Sequence, residues 1–428
     1  MTVPRRTLLR AGGLVALAAA PLPFLFRRGE RAANSPALIR DAGGLLDLPA
    51  GFSYRIVDRA FQRMSDGLRV PARPDGMACF QGPNDTLILM RNHELDFQPA
   101  QGAYSSAPAE AYDPRAFGGV SRVVLDRRTL DKISSNLVLA GTLRNCAGGP
   151  SPWGYLSCEE SVLPGHGYVF RCRTDAARLA PPDRIAAYGH FNHEAACVDP
   201  KTLIAYLTED RADGCLYRFK PNDPKTPFEG KLQALAVSGS PGLDTAVALP
   251  AGQKREIRWV DVPNPDPKDD SVRLQARERG AALIRRGEGI CFDAGAVYVC
   301  ATSGGRAGSG QVLRVIDGAR PTVETVAESP GSEVLDMPDN VVVAPFGDVY
   351  LAEDGPGEQY IRALTPDGRI YDVARNARSG GEFAGVCFAP DGRTLFFNMQ
   401  IDGVTLAVSG PFAELAASAR PLALLPRS

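Results

Sequence analysis

The chain has 428 residues, of which 44% are hydrophobic, and its 48 basic residues nearly balance its 49 acidic ones to give a net charge of −1. This balance, together with the lack of a basic block interleaved with aromatic residues, argues against a nucleic acid-binding module. The length allows a large core, and 44 glycines and 35 prolines argue against a mostly helical chain. The composition favours a single large all-β domain.

The N-terminal segment has the features of an export signal. Arg5 and Arg6 form a twin arginine, and a stretch of small apolar residues follows at 11–20. This pattern resembles a twin-arginine signal, which predicts the twin-arginine export machinery as a partner and a periplasmic or extracellular location. We assign residues 1–33 to the signal and linker, and 34–428 to one catalytic domain. The apolar run 21–26 leaves an uncleaved membrane anchor open as an alternative.

One unit recurs about six times after the signal. A typical copy has a polar residue, an apolar run, a turn, a second apolar run and a final acidic or amide residue, which is typical of a β-hairpin. Several adjacent copies have the spacing of four-stranded propeller blades. We therefore predict an all-β, six-bladed β-propeller with short helical insertions, one of them near 270–286. The copies span 75–94, 146–160, 194–210, 288–303, 339–354 and 382–400.

The ends of these copies predict a metal site. A hairpin returns its last residue to the edge where it began, so each copy places two polar groups on one rim. Carboxylates crowded on such a rim repel one another unless a cation neutralises them, and hard cations prefer oxygen ligands. Terminal acids can also simply make a turn soluble, and for a single copy that explanation would be preferred. Because polar residues recur at both ends of several copies, a metal site is favoured over a purely solubilising role.

The chain has nine cysteines and no CxxC pair. Cys146 begins a copy of the unit, whereas most of the others lie inside apolar runs. Cysteines in such runs are predicted to be small buried hydrophobic residues. They are Cys79, Cys172, Cys197, Cys215, Cys291, Cys300 and Cys387.

Some segments carry more polar residues than a strand needs. They include Asn-Cys-Ala-Gly-Gly at 145–149, Cys-Glu-Glu at 158–160, Asn-His-Glu at 192–194, Arg-Gly-Glu-Gly at 286–289 and Pro-Asp-Asn at 338–340. With these segments the chain resembles the PhoX-type alkaline phosphatases over nearly its whole mature length. The resemblance implies a propeller with a mixed iron and calcium cluster at one mouth, which hydrolyses small phosphate monoesters outside the cytoplasm. We also expect a monomer.

The resemblance implies a set of metal ligands. Cys146 would supply a thiolate to iron, because soft sulfur selects a transition metal over calcium. Glu159 is expected to be structural, because neighbouring residues on a strand point to opposite faces. The carboxylates that would complete the cluster are Glu160, Glu194, Glu209, Glu288, Asp339, Glu353 and Asp354.

Arg286 and Glu288 are the predicted catalytic residues. On an extended segment they share a direction, so the Arg286 guanidinium could hold two phosphate oxygens at once. The metals would neutralise developing charge and hold a bridging oxo or hydroxide nucleophile. The alternative for Arg286 is a structural ion pair with an acid. His93 and His193 each precede a rim glutamate, and we expect both to be supporting or structural residues.

Two other functions remain open at this point. One is a calcium-dependent lactonase or phosphotriesterase built on a similar propeller, and the other is a noncatalytic metal-binding propeller. Cys146 argues against the first, because such calcium enzymes have no need of a thiolate. The second would bind metal without turnover.

Overall fold

The structure is a computed structural model that describes residues 30–32 and 35–420. The predicted export signal, with Arg5, Arg6 and the apolar stretch after them, lies outside the described residues. The described part is mostly β, with 45% of residues in strands and 6% in helices, which confirms the all-β prediction. None of its helices is both long enough and apolar enough to span a membrane.

The strands are numbered in chain order. The first fourteen are β1 Glu30–Arg31, β2 Leu38–Ile39, β3 Leu46–Pro49, β4 Ser53–Arg59, β5 Pro74–Gln81, β6 Thr86–His93, β7 Gly118–Asp126, β8 Lys132–Thr142, β9 Asn145–Ser151, β10 Gly154–Glu159, β11 Val169–Cys172, β12 Arg184–Ile185, β13 His193–Val198 and β14 Ala205–Glu209. The others are β15 Tyr217–Pro221, β16 Gly230–Val237, β17 Lys254–Asp261, β18 Gly287–Asp293, β19 Ala296–Ala301, β20 Gln311–Ile316, β21 Thr322–Glu328, β22 Pro338–Val343, β23 Val349–Glu353, β24 Tyr360–Leu364, β25 Arg369–Asn376, β26 Phe383–Phe388, β27 Thr394–Met399 and β28 Val404–Ser409.

Short helices lie between and after the strands. They are α1 Thr245–Ala248, α2 Val272–Glu278, α3 Phe412–Ala419 and a 3-10 turn at Ala186–Tyr188. The helix predicted near 270–286 is therefore present as α2, but it is shorter than expected. It ends because Gly280 takes a φ of 85°, the left-handed conformation that glycine accepts at a helix C-terminus.

Except for the short parallel pair of β1 with β25, the strands form antiparallel sheets that follow one another along the chain. β5 to β8 form one sheet, β9 to β12 another, and β13 to β21 a nine-stranded sheet in the order β13-β14-β15-β16-β17-β21-β20-β19-β18. β22 to β25 join β3 and β2, while β1 pairs with β25. β4 completes the last sheet by pairing with β28, so residues near both ends of the described chain share one sheet.

All six hairpins predicted from the repeat are present, as β5–β6, β9–β10, β13–β14, β18–β19, β22–β23 and β26–β27. Their first strands, called here the inner strands, contact one another in a closed ring in the order β5, β9, β13, β18, β22, β26. The strands approach closely at glycines. A Cβ on Gly289 would lie 2.2 Å from the Asp339 carbonyl oxygen of the next inner strand. The ring therefore brings the start of each inner strand to one place.

The hydrophobic core lies between neighbouring sheets. Leu89 and Val123, of the β5–β8 sheet, pack in one cluster with Phe396 and Ala407 from the β26–β28 sheet. All four side chains are buried. Apolar packing of this kind fixes the sheets around the ring and hence the positions of the polar groups at its end.

Candidate metal centre and active site

A cavity of about 110 Å³ lies at the end of the ring where the inner strands begin. We call it the acidic cavity. Nine carboxyl groups line it, together with the Cys146 thiol, two guanidinium groups and the Gln400 amide. The carboxyl groups belong to Asp75, Glu94, Glu160, Glu194, Asp210, Glu288, Asp339, Asp354 and Glu382.

Strand irregularities aim these side chains inward. The register of the β13–β14 pair shifts between His193 and Ala196, which brackets Glu194. The β18–β19 pair shifts between Gly287 and Ile290, which brackets Glu288. A β-bulge bends its strand and redirects a side chain, and bulges are common beside active sites. The repeat thus places not only a polar residue but also a bulge at the mouth of the ring.

Cys146 is central to the ligand geometry. Its Sγ donates to Oε2 of Glu160 at 3.3 Å. One group of ligand atoms within 4.8 Å of one another comes from Asp75, Glu94 and Cys146, and another comes from Cys146, Glu160 and Glu194. The thiol therefore belongs to both groups.

Burial and mutual repulsion perturb these acids strongly. Burial, followed by the charges of Asp339 and Glu288, raises the pKa of Glu194 well above its usual value. Burial and a hydrogen bond with Asp354 raise the pKa of Glu382 to about 11. Such shifts are expected when carboxyl groups share a desolvated space without a cation.

The Cys146 thiol is perturbed in the same direction. Burial, followed by the charges of Glu194 and Glu160, raises its pKa well above the usual value. A thiol with such a pKa stays protonated near neutral pH, so a bound metal ion would be needed to favour the thiolate.

Arg144 and Arg286 are the two cations of the acidic cavity. Arg286 pairs with Glu288 and, at 2.9 Å, with Oδ1 of Asp210. Arg144 pairs with Glu160 and, at 3.2 Å, with Oε1 of Glu94. Burial lowers the pKa of each arginine, but the surrounding carboxylates outweigh it, so the net direction is upward and both remain charged.

These arginines share an uncommon backbone conformation. Each directly precedes an inner strand, and their φ angles are 45° for Arg144 and 50° for Arg286. Arg73, which precedes β5, also has a φ of 45° and donates to Gln400 at 3.0 Å. Non-glycine residues seldom take a positive φ, and such strain concentrates at functional sites.

The structure brings most of the predicted residues together. Cys146, Glu160, Glu194, Glu288, Asp339, Asp354 and Arg286 all line the acidic cavity. Glu209 and Glu353 do not. Glu209 accepts from Tyr217 at 2.7 Å, and Glu353 accepts from Arg362 at 2.9 Å. These two predicted ligands therefore lie outside the lining of the acidic cavity.

The reason is the alternation of side chains along a strand. Glu209 is paired with His193 in the β13–β14 ladder, and Glu353 is paired with Pro338 in the β22–β23 ladder. The neighbouring Asp210 and Asp354 therefore point the other way, into the acidic cavity. The argument that makes Glu159 structural applies equally to these two glutamates.

Six further side chains in the cavity were not among the predicted ligands or catalytic residues: Asp75, Glu94, Arg144, Asp210, Glu382 and Gln400. Five of them begin or end a copy of the repeat, so the repeat pattern could have identified them. Arg144 lies outside every copy, and only its position next to Asn145 could have pointed to it.

Glu159 and the histidines have other partners. His166 contacts Glu159 at 2.7 Å, His93 contacts the Ser121 hydroxyl at 2.8 Å, and His193 contacts the Gly189 carbonyl at 3.0 Å. Burial lowers the pKa of His193 to about 3, so this imidazole is neutral. Among the described residues, no histidine lines the acidic cavity.

The donor set of the cavity fits metal ions. A thiol with several carboxylates suits a transition metal, and the remaining oxygens suit a hard cation such as calcium. The raised pKa values of Glu288 and Asp339, which come first from burial, also favour cations, because positive charge would relieve the repulsion among these carboxylates.

The family model "Alkaline phosphatase PhoX" matches residues 33–138 and 127–403. The chain belongs to the PhoX alkaline phosphatase family. Enzymes of this family are exported and metal-dependent, and membership supports phosphatase activity for this chain. No curated protein sequence matches the chain.

A solved PhoX structure has a similar fold. Pseudomonas fluorescens PhoX in complex with vanadate, a transition state analogue, superimposes with a TM-score of 0.69 at 16% identity, over 92% of this chain and 100% of that one. A gluconolactonase from Xanthomonas campestris matches less well, with a TM-score of 0.44 at 14% identity, over 88% of this chain and 100% of that one.

Proposed function

We propose that this PhoX family member hydrolyses phosphate monoesters at the acidic cavity, with iron and calcium as its metals. The observation that carries the proposal is the convergence of the Cys146 thiol and nine carboxyl groups on one small space. Two guanidinium groups lie in the same space, as recognition of a phosphate group requires.

The ligand chemistry suggests where each metal would bind. The two ligand groups that share Cys146 would hold iron, because they contain sulfur. Glu288 and Asp339, which form a hydrogen bond with each other, offer oxygen ligands and would hold calcium. When bound, these metals would stabilise negative charge on the phosphoryl group and supply an activated nucleophile.

The arginines would bind and orient the substrate. A guanidinium has five N–H donors, so Arg286 can keep its contacts with Asp210 and Glu288 and still donate to phosphate oxygens. Arg144 has the same arrangement with Glu94 and Glu160. Metal ions on these carboxylates would weaken the ion pairs and leave the guanidinium groups freer to hold the substrate.

We further propose a six-bladed propeller as one catalytic domain over 34–428. The ring of inner strands and the closure of the last sheet by β4 support this architecture. Export by the twin-arginine machinery, a monomeric state and small phosphate esters as substrates remain proposals drawn from the sequence.

The test is hydrolysis of p-nitrophenyl phosphate by protein exported through its own signal, with iron and calcium counted on the same sample. Turnover that is lost on chelation and returns when calcium is added, in protein that contains iron, is the expected result. A lactone and a phosphotriester serve as comparison substrates. Preferential turnover of either would replace the proposal, and bound metal without turnover would identify a binding protein.

A further inference from the structure

A second cavity, of about 300 Å³, lies farther along the same inner strands. On β5, Asp75 lines the acidic cavity, Met77 lines a small void of about 40 Å³, and Cys79 lines the second cavity. β13 shows the same progression through Glu194, Ala195 and Cys197. The second cavity therefore lies on the ring axis, beyond the small void from the acidic cavity.

Four cysteines line this second cavity, which we call the thiol cavity. They are Cys79, Cys197, Cys291 and Cys387. Each comes from a different inner strand, and all four are free thiols. The other lining residues are mostly apolar, and the one carboxylate, that of Asp293, is exposed. Four of the six inner strands thus present sulfur to one apolar space.

The thiols fall into two pairs, each across a junction between adjacent inner strands. Cys387 on β26 lies beside Cys79 on β5, because its thiol contacts the Cys79 backbone N–H. Gly385 brings these strands together, since a Cβ there would lie 3.0 Å from Cβ of Met77. The other pair, Cys197 and Cys291, lies on the adjacent strands β13 and β18, and the Cys291 thiol is near enough to raise the pKa of Cys197.

The apolar surroundings limit the reactivity of these thiols. Burial raises the pKa of Cys79 and Cys197 well above the usual value and that of Cys291 to about 12. The thiols are therefore protonated and poor nucleophiles at neutral pH. A cation with high affinity for sulfur can still displace a thiol proton, whereas calcium and magnesium need several oxygen ligands, and the only carboxylate among the lining residues is the exposed Asp293.

The number of thiols that can contact one cation limits which cations could bind in the thiol cavity. Over 30–32 and 35–420, every group of three or more ligand atoms within 4.8 Å of one another lies in the acidic cavity. The four thiols of the thiol cavity therefore form no group of three, and a cation bound there would contact at most two of them at once. Thiolates select soft ions such as Cu(I), and monovalent d10 cations accept two ligands.

We propose that the thiol cavity is a binding site for soft monovalent cations, Cu⁺ or Ag⁺, with one cation held between Cys79 and Cys387 and another between Cys197 and Cys291. In each pair, one S–H bond breaks and its proton leaves to solvent, while the second thiol remains protonated and donates a sulfur lone pair. The product is neutral, as an apolar cavity favours. No oxidant or reductant takes part. The ring of inner strands would then hold the proposed iron and calcium at one end and sulfur-bound soft cations farther along.

This inference is independent of the phosphatase proposal, because it concerns different residues and a different readout. The test titrates the iron- and calcium-loaded full chain with Ag⁺, counts bound silver by native mass spectrometry and records proton release. We expect two silver ions and two protons per chain. Iron content is measured in the same samples, because silver bound at Cys146 would release iron.

Matched variants locate the sites. C79S/C387S should bind one silver ion, C197S/C291S should also bind one, and the quadruple variant should bind none. Cys172→Ser is the control, because Cys172 is a buried free cysteine outside the thiol cavity, and it should still bind two. If a double variant is poorly folded, the single variant Cys79→Ser is used, because Cys79 is only half-buried. Unchanged silver stoichiometry in folded variants, or loss of iron that matches silver uptake, would overturn the proposal.

Discussion

The Cys146 thiol donates a hydrogen bond of 3.3 Å to the Glu160 carboxylate. Cys146 begins one predicted hairpin and Glu160 follows its end, so the contact joins the two ends of a single copy of the repeat. The same thiol is shared by both groups of potential metal ligands. Cys146 is therefore the residue through which the proposed transition-metal site is most directly tested.

Replacing Cys146 with serine should remove iron selectively. The hydroxyl keeps the size and hydrogen-bonding capacity of the thiol but lacks the soft sulfur that favours a transition metal. We expect C146S to retain calcium, to lose most of its iron and to lose any thiolate-to-iron absorption band. Cys172→Ser is the control. Full iron occupancy in C146S would show that sulfur is not a ligand.

Glu288→Gln should abolish activity and reduce metal content. Glu288 is buried, lies beside Asp339 and pairs with Arg286, so the change removes a negative charge from the centre of the acidic cavity. We expect a loss of kcat/KM of ~100-fold or more, as for removal of a metal-orienting or charge-stabilising group. Normal turnover with full metal content would remove Glu288 from the cluster.

Substitutions of Asp210 and of its neighbour Glu209 can be compared directly, because the two acidic side chains point in opposite directions. Asp210 lines the acidic cavity and holds Arg286, whereas Glu209 faces Tyr217. We expect D210N to lower kcat/KM or metal content and E209Q to keep both within a few-fold of the original values, with its effect confined to thermal stability. Asp354→Asn and Glu353→Gln repeat the comparison on β23. If E209Q and E353Q lowered kcat/KM or metal content while D210N and D354N did not, Glu209 and Glu353 would be the better candidate ligands.

Much of the fold could be predicted because the hairpin repeat is local. Apolar runs flanked by turn residues specify each strand pair, and all six pairs form. The pairing of β4 with β28 was not predicted, because it joins segments that are distant in sequence. Only tertiary packing can reveal such a contact.

The site was partly predictable for a related reason. The repeat places an acidic residue at most hairpin ends, but the side-chain direction of Glu209 or Asp210 depends on strand register and on nearby bulges. A one-residue shift in register exchanges the two faces of a strand. The role of Arg144 depends on its left-handed backbone and on its contact with Glu160, and neither of these follows from composition.

Arg144 and Arg286 should both contribute to phosphate binding. Lysine keeps the charge but cannot form the two parallel hydrogen bonds of a guanidinium. We expect R144K and R286K to lower kcat/KM for p-nitrophenyl phosphate ~100-fold, on the scale of losing one oriented donor, and to weaken inhibition by inorganic phosphate. Arg173→Lys, at an exposed pair with Asp175, should have no effect. An R144K enzyme with unchanged phosphate inhibition would leave Arg144 as a structural partner of Glu160.

Removal of metal should make stability depend on pH in a defined direction. Burial raises the pKa of Glu194 and Glu288 well above the ordinary value of 4.5 for glutamate, and that of Glu353, which also faces Arg362, to about 7. The folded metal-free protein therefore holds protons that the unfolded chain has already released above pH 4.5. Linkage then requires the free energy of unfolding to fall as pH rises, by about 1.4 kcal/mol per pH unit for each such group.

We expect the Tm of the chelated protein to be highest near pH 4 to 5 and to decrease towards pH 8. Iron- and calcium-loaded protein should show a smaller decrease, because bound cations favour the ionised carboxylates of the acidic cavity, whereas Glu353 lies outside it. Thermal unfolding followed by circular dichroism, on matched metal-free and loaded samples, measures both curves. E353Q removes one of the carboxyl groups with a raised pKa, so the decrease of Tm between pH 5 and 7 should be shallower in this variant. A Tm of the metal-free protein that rises from pH 5 to 8 would contradict the idea that the crowded carboxyl groups of the acidic cavity need a cation.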